Sequence, residues 1–161
     1  MLKDQQVQIA EIGARENIIV RQHPRQVSTL LLYDKHNELK LYNSEKNKTL
    51  FIYHTPSEFL ETTEHLIDAE WNPGEDVFIT LSNQGKIYLY AIDEAPIKME
   101  FERQTGGISK VCWLDNVSGD FATSSAKMGT LRVWNAANPK PKDIIKVNQF
   151  GILNIVSGKK D

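Results

Sequence analysis

The stretch Gly129-Thr130-Leu131-Arg132-Val133-Trp134-Asn135 decides the fold. In an extended chain Leu131 and Val133 fall on one side and Arg132 and Trp134 on the other, the period-two alternation of a strand. A turn glycine precedes it, and the polar run Asn138-Pro139-Lys140-Pro141 follows as an expected loop. Two upstream segments say nearly the same thing: Gly85-Lys86-Ile87-Tyr88-Leu89-Tyr90-Ala91 and Asn37-Glu38-Leu39-Lys40-Leu41-Tyr42-Asn43. Tyr42 and Tyr90 stand 48 residues apart, Tyr90 and Trp134 stand 44 apart. A second marker recurs ahead of the first, since Trp71 and Trp113 are 42 residues apart. Two markers with one shared period make an internal repeat.

Composition bounds what such a repeat can be. The 161 residues suffice for one domain with a sizeable core. Lys and Arg number 19 against 21 Asp and Glu, which argues against a dominant phosphate-binding surface. The one cysteine, Cys112, excludes an internal disulfide framework and a thiolate zinc cage. No apolar run approaches the roughly 18 residues that span a bilayer, and Met1 to Gln6 holds no apolar signal core. A reducing, cytoplasmic setting without a membrane partner is the expectation.

Taken in order, the chain reads as short strands between turns. Gln6 to Ile12 alternates strictly and is expected to be a leading strand. The first unit follows as Asn17 to Val20, Ser28 to Tyr33, Leu39 to Tyr42 and Thr49 to His54. Ser28 to Tyr33 is apolar without alternation, as in a strand buried on both faces. Ser57 to Glu64 is an acidic, mildly helical loop. The second unit runs Leu66 to Trp71, Val77 to Ser82, Lys86 to Ala91 and Ile97 to Arg103. The third runs Ser109 to Leu114, Asp120 to Ser125, Thr130 to Asn135 and Asp143 to Val147. A last apolar run, Gly151 to Val156, reads as the first strand of an incomplete fourth unit. The tally of about 14 strands, at about 11 residues per strand and turn, predicts an all-β fold. The expected organisation is a leading strand in 1–16, units over 17–56, 57–104 and 105–149, and a partial unit in 150–161.

Four strands per repeat of 40 to 45 residues, with an aromatic closing the third strand, resembles the WD-repeat β-propeller family. The likeness covers Asn17 to Val147 and is clearest in the third unit, with Trp113, then Phe121-Ala122-Thr123-Ser124-Ser125, then Trp134-Asn135. In that family a Gly-His pair, a Ser or Thr, a turn Asp and the Trp form a hydrogen-bonded set within each blade. Here the Gly-His pair is missing; the third unit offers Thr105-Gly106-Gly107 instead. The turn Asp reads as Asp34, then Asn83, then Lys127-Met128, and the closing Trp-Asp reads as Tyr42-Asn43, Tyr90-Ala91 and Trp134-Asn135. The repeats are degenerate.

The resemblance implies a protein-interaction scaffold, with protein partners and no cofactor. Three blades leave apolar sheet faces to be covered, at about 1.5–3 kcal/mol per large side chain left exposed. A second copy, or the rest of a propeller, is the expected cover. Turn residues Asp34, His36, Asn83, Gln84, Lys127 and Met128, with Glu61 and Glu64 of the acidic loop, are candidate protein-binding positions. Trp71, Trp113, Trp134, Tyr42 and Tyr90 are expected to be structural. His23, His36, His54 and His65 never fall at metal-ligand spacing, and no catalytic motif is present, so no metal or catalytic residue is expected. Lys127, Arg132, Lys140, Lys142, Lys146 and Lys159 cluster modestly in the last third, which keeps a nucleic-acid partner as the alternative.

Overall fold

The computed structural model of the protein describes residues 17–56, 63–115 and 117–158. It is all-β, with 12 strands in three four-stranded antiparallel sheets and no helix among the described residues. The first sheet holds β1 (Asn17–Gln22), β2 (Thr29–Asp34), β3 (Leu39–Asn43) and β4 (Lys48–Tyr53). The second holds β5 (Leu66–Trp71), β6 (Val77–Ser82), β7 (Ile87–Ala91) and β8 (Met99–Glu100). The third holds β9 (Ile108–Trp113), β10 (Asp120–Ser125), β11 (Thr130–Asn135) and β12 (Asn138–Lys146). Within each sheet the strands lie in chain order as a meander, so no sheet closes on itself.

Alternation sends each strand's side chains to two faces, and the second sheet buries both. Its Phe78, Tyr88 and Tyr90 pack with Leu31, Tyr33, Leu39 and Tyr53 of the first sheet. Its Ile79, Leu81, Ile87 and Leu89 pack with Val111, Trp113, Phe121 and Trp134 of the third. The central strands β6 and β7 are therefore buried almost throughout, whereas β11 is mostly half-buried and β12 is almost wholly exposed.

The repeat markers share one row of the ladder. Trp71 opposes Phe78, which opposes Tyr90; Trp113 opposes Phe121, which opposes Trp134. Phe78 stacks on Tyr90 at 5.2 Å between ring centroids, and Phe121 on Trp134 at 6.1 Å, both within 9° of parallel. Each row presses on the preceding sheet. The corresponding row of the first sheet is Gln22, Leu30 and Tyr42. Tyr42 is only half-buried, because no described sheet stands against its side.

The sheets meet through their first strands, β1 beside β5 and β5 beside β9. Trp71 Nε1 donates to the Arg21 carbonyl and Trp113 Nε1 to the Glu70 carbonyl, each at 3.2 Å. The buried Asp68 carboxylate ties all three strands: Arg21 Nη2 donates to Oδ1 at 2.7 Å, and Lys110 Nζ stands 3.0 Å from Oδ2 as an ion pair. His23, also buried, closes the first sheet's entry. Its Nδ1 accepts the N–H groups of Arg25 and Gln26 at 3.1 Å each, while Nε2 faces Asp76 at 3.2 Å. An Nδ1 acceptor requires the neutral ring, and burial holds the His23 pKa below its ordinary value.

Three readings need correction. The stretch Ile97 to Arg103 contributes only the two residues of β8, although Lys98 and Phe101 still donate to the Leu89 and Ile87 carbonyls. The run Asn138 to Pro141 is not a loop: β12 starts at Asn138, after the two-residue turn Ala136-Ala137. Pro139 and Pro141 are tolerated because β12 is an edge strand, where a missing N–H breaks no second ladder. Gly151 to Val156 forms no strand; it touches the third sheet at Ile152, whose N–H donates to the Ser125 carbonyl at 2.9 Å. The leading strand expected at Gln6 to Ile12 and most of the acidic loop lie outside the described residues.

Two outcomes follow. Trp134→Ala empties the row that β10 and β11 share and should cost about 3–5 kcal/mol in urea unfolding. Glu70, half-buried on β5, has its pKa pushed up to about 7 from an ordinary 4.5, chiefly by burial and further by the Asp68 charge. Between pH 4.5 and 7 the folded protein holds a proton that the unfolded chain has lost, so this group's stabilisation falls as pH rises. Glu70→Gln should thus match the parent at pH 4.5 and exceed it at pH 8 by on the order of 2 kcal/mol, discounted for partial solvent access. Comparing the two proteins at each pH cancels the opposite trend from His23.

Candidate functional site

The turns between second and third strands and the linkers between sheets gather at one end. Each turn is capped by the last residue of the second strand. Asp34 Oδ1 accepts the N–H groups of His36 and Glu38 at 2.8 and 3.1 Å. Ser82 Oγ accepts those of Gln84 and Lys86 at 3.2 Å each. Ser125 Oγ accepts those of Met128 and Lys127 at 2.9 and 3.4 Å. A side-chain oxygen here supplies the acceptor that a tight turn lacks. The residue that re-enters the ladder is left-handed in all three: Asn37, Gly85 and Gly129, with φ of 63°, 82° and 60°.

Glycine is required for a second reason at two of these positions. A Cβ on Gly85 would stand 2.3 Å from the Gln104 carbonyl oxygen, and one on Gly129 would stand 2.2 Å from the Phe150 carbonyl oxygen. The chain leaving each sheet thus crosses directly over that sheet's turn. Gln104 N–H donates to the Gly85 carbonyl and Val147 N–H to the Gly129 carbonyl, both at 2.9 Å. Asn83 grips the linker entering the second sheet: its Oδ1 accepts His65 N–H and its Nδ2 donates to the Thr63 carbonyl, both at 3.1 Å. Contact therefore passes without a gap from linker 63–65 to turn 83–85, linker 103–107, turn 126–129 and segment 147–152.

The expected site residues fare differently. His36, Gln84 and Lys127 are exposed at this end, and Met128 is half-covered by its packing over Gly106. Asn83 is exposed, but both ends of its amide are committed to the linker. Asp34 is the last residue of β2 and serves as a turn cap rather than as a presented carboxylate. Glu64 is buried, 3.3 Å from Lys86, and is no surface ligand. Glu61 lies outside the described residues. The turn caps of the second and third sheets were expected at Asn83 and Lys127-Met128; they are Ser82 and Ser125, one or two residues earlier.

Arg103 and Gln104 were not anticipated. Arg103 Nε donates to the Gln84 carbonyl at 2.7 Å, and its Nη2 to Gln84 Oε1 at 3.3 Å, which fixes the guanidinium over the turn. Gln104 is buried, and its Oε1 accepts from the Thr123 hydroxyl, which itself accepts Trp134 Nε1–H at 2.9 Å. No local pattern in the sequence marks either residue.

Elsewhere, Lys142 pairs with Asp120 at 2.6 Å, and Lys146 Nζ donates to the Met128 carbonyl. Cys112 is buried and burial pushes its thiol pKa up, the opposite of an activated nucleophile. No group of three or more His, Cys, Asp or Glu among the described residues is placed to hold a metal ion.

Ser125→Ala removes the acceptor for two turn amides and should cost about 1–2 kcal/mol. Hydrogen exchange should quicken at Lys127 and Met128 while Gln84 and Lys86, capped by Ser82, keep their rates. No protein-family model and no characterised protein matches the chain.

Proposed function

We propose that the protein is a non-catalytic protein-interaction scaffold built on the WD-type β-propeller plan, its three sheets serving as successive blades. The observation that carries the reading is the shared end, where three rigidly capped turns and two linkers stand side by side on a common stack. Such loops on a fixed support are where recognition concentrates. The propeller plan is supported by the equal setting of β1, β5 and β9 and by the two equivalent indole-to-carbonyl bonds between sheets. Exposed Ile144, Ile145, Leu153 and Val156 on and beside the third sheet offer apolar surface to a further sheet, from a second copy or from the rest of a ring. Function from architecture is analogy, and the partners' identity is a matter for experiment.

Nucleic acid has less behind it, because Lys142 and Lys146 spend their ammonium groups on Asp120 and the Met128 carbonyl. Among the described residues no helix is long and apolar enough to cross a membrane.

The test is quantitative affinity capture with the full chain and with the triple variant His36→Ala, Gln84→Ala, Met128→Ala. A defined set of proteins should fall at least fivefold on the variant while its circular dichroism and unfolding midpoint hold. Undiminished capture of every protein would remove this end as the binding surface.

A further inference from the structure

Between the second and third sheets, at the end just described, lies a cleft of about 380 Å³. Its walls are the Asn83-Gln84 turn and Lys127, and its floor is the linker from Arg103 to Gly107. We infer that this cleft binds a carboxylate of an acidic peptide segment. The inference rests on the scaffold reading and gives its partner a chemistry.

The argument is an inventory of donors and acceptors. The side-chain amide oxygens of Asn83, Gln84 and Gln104 are already used, as are three carbonyls. Asn83 Oδ1 takes His65 N–H, Gln84 Oε1 and its carbonyl take Arg103, and the Gly106 and Gly107 carbonyls take Ser125 Oγ–H and Ala126 N–H. Donors beside them have no acceptor. Gln104 is 1% exposed, its Oε1 is held by Thr123, and its Nε2 meets no acceptor among the described residues. The backbone N–H groups of Thr105, Gly106 and Gly107 likewise have none there. Two successive left-handed glycines, with φ of 82° and 73°, shape this linker and leave it without side chains to cover those amides.

Charge points the same way. Arg103 and Lys127 line the cleft and form no ion pair with any described carboxylate, and no described carboxylate lines the cleft. The chain as a whole carries a net charge of −2, so the two cations are a local reversal. A buried amide donor without an acceptor is costly, and an oxyanion would satisfy it together with the backbone amides. Backbone amides flanked by cations are a recurring way to hold an anion.

The preceding junction makes the contrast. An equivalent cleft of about 320 Å³ between the first and second sheets is lined by Ile18, Lys35, Asn37, Thr63, Glu64 and His65. Its charged lining is mixed, with the Lys86-paired Glu64 carboxylate beside Lys35, whereas the charged lining of the later cleft is cationic throughout. The anion is assigned to a peptide and not to RNA because no aromatic side chain lines the cleft, and single-stranded bases rely on aromatic stacking.

The experiment uses the full chain and a fluorescein-labelled seven-residue peptide in which glutamates alternate with serine and glycine. Fluorescence anisotropy should give a dissociation constant in the hundreds of micromolar, and replacing each glutamate by glutamine should weaken binding at least tenfold. The double variant Arg103→Gln, Lys127→Gln should lose at least tenfold, whereas the charge-matched control Lys46→Gln, Lys140→Gln should bind as the parent does. In ¹⁵N-labelled protein the amides of Thr105, Gly106 and Gly107 should move on titration. The inference is overturned by no binding to the parent at millimolar peptide, by equal binding of the glutamine peptide, or by an equal loss in the control pair. It is also overturned if a short oligouridylate binds more tightly through the same three amides. The scaffold reading stands or falls separately, on whether the His36, Gln84 and Met128 variant loses its partners.

Discussion

An indole N–H reaching from one sheet to the first strand of the sheet before it is the contact on which the arrangement depends. An edge strand presents carbonyls with no ladder partner, and burying one unpaired is expensive. Trp71 and Trp113 solve the problem at the same point in successive sheets, by donating to Arg21 and Glu70. The same rings begin the aromatic rows that fill the space between sheets, so one residue sets both spacing and register. Asp68 then fixes which strands meet. A buried carboxylate between Arg21 and Lys110 contributes little net stability, but it penalises any sheet pairing that would leave it alone.

That constraint explains which parts of the fold could be read in advance. Val77–Ser82, Asp120–Ser125 and Thr130–Asn135 fall where they were expected, because central strands carry the compact apolar runs or closing aromatics that turn residues bound. Outer strands vary: β5 stands at Leu66–Trp71 as expected, while the last strands of the second and third sheets depart. β8 shrinks to Met99–Glu100, and β12 swallows two prolines, since an outer strand has one ladder to satisfy and few side chains to bury. The weak first repeat has a related cause. Tyr42 holds the position of Tyr90 and Trp134, but a buried aromatic is demanded only where a sheet presses on that side.

The turn end was legible in outline and not in its residues. Left-handed Asn37, Gly85 and Gly129 were visible as turn residues, and the turns themselves stand where they were expected. Their caps were not visible, because an Asp carboxylate and a Ser hydroxyl perform the same task. A search for one side chain at one offset passes over Ser82 and Ser125. Arg103 and Gln104 depend on contacts 19 residues away in sequence, to Gln84 and Thr123. No local pattern encodes such pairs.

Gln104 links the core of the third sheet to the cleft above it. A relay of hydrogen bonds begins at the buried Trp134. Trp134 donates to Thr123, and Thr123 to the Gln104 carbonyl oxygen, so the relay ends on an acceptor. A glutamine side chain has one property that matters here: its acceptor comes attached to an NH₂ group with two further donors. With the oxygen held, the nitrogen stays buried and meets no acceptor among the described residues, on a residue that lines the cleft. The bond to Thr123 therefore leaves a desolvated donor on a residue of the cleft that Arg103 and Lys127 also line. The packing requirement of one sheet and the polarity of the cleft above it become a single property of one side chain.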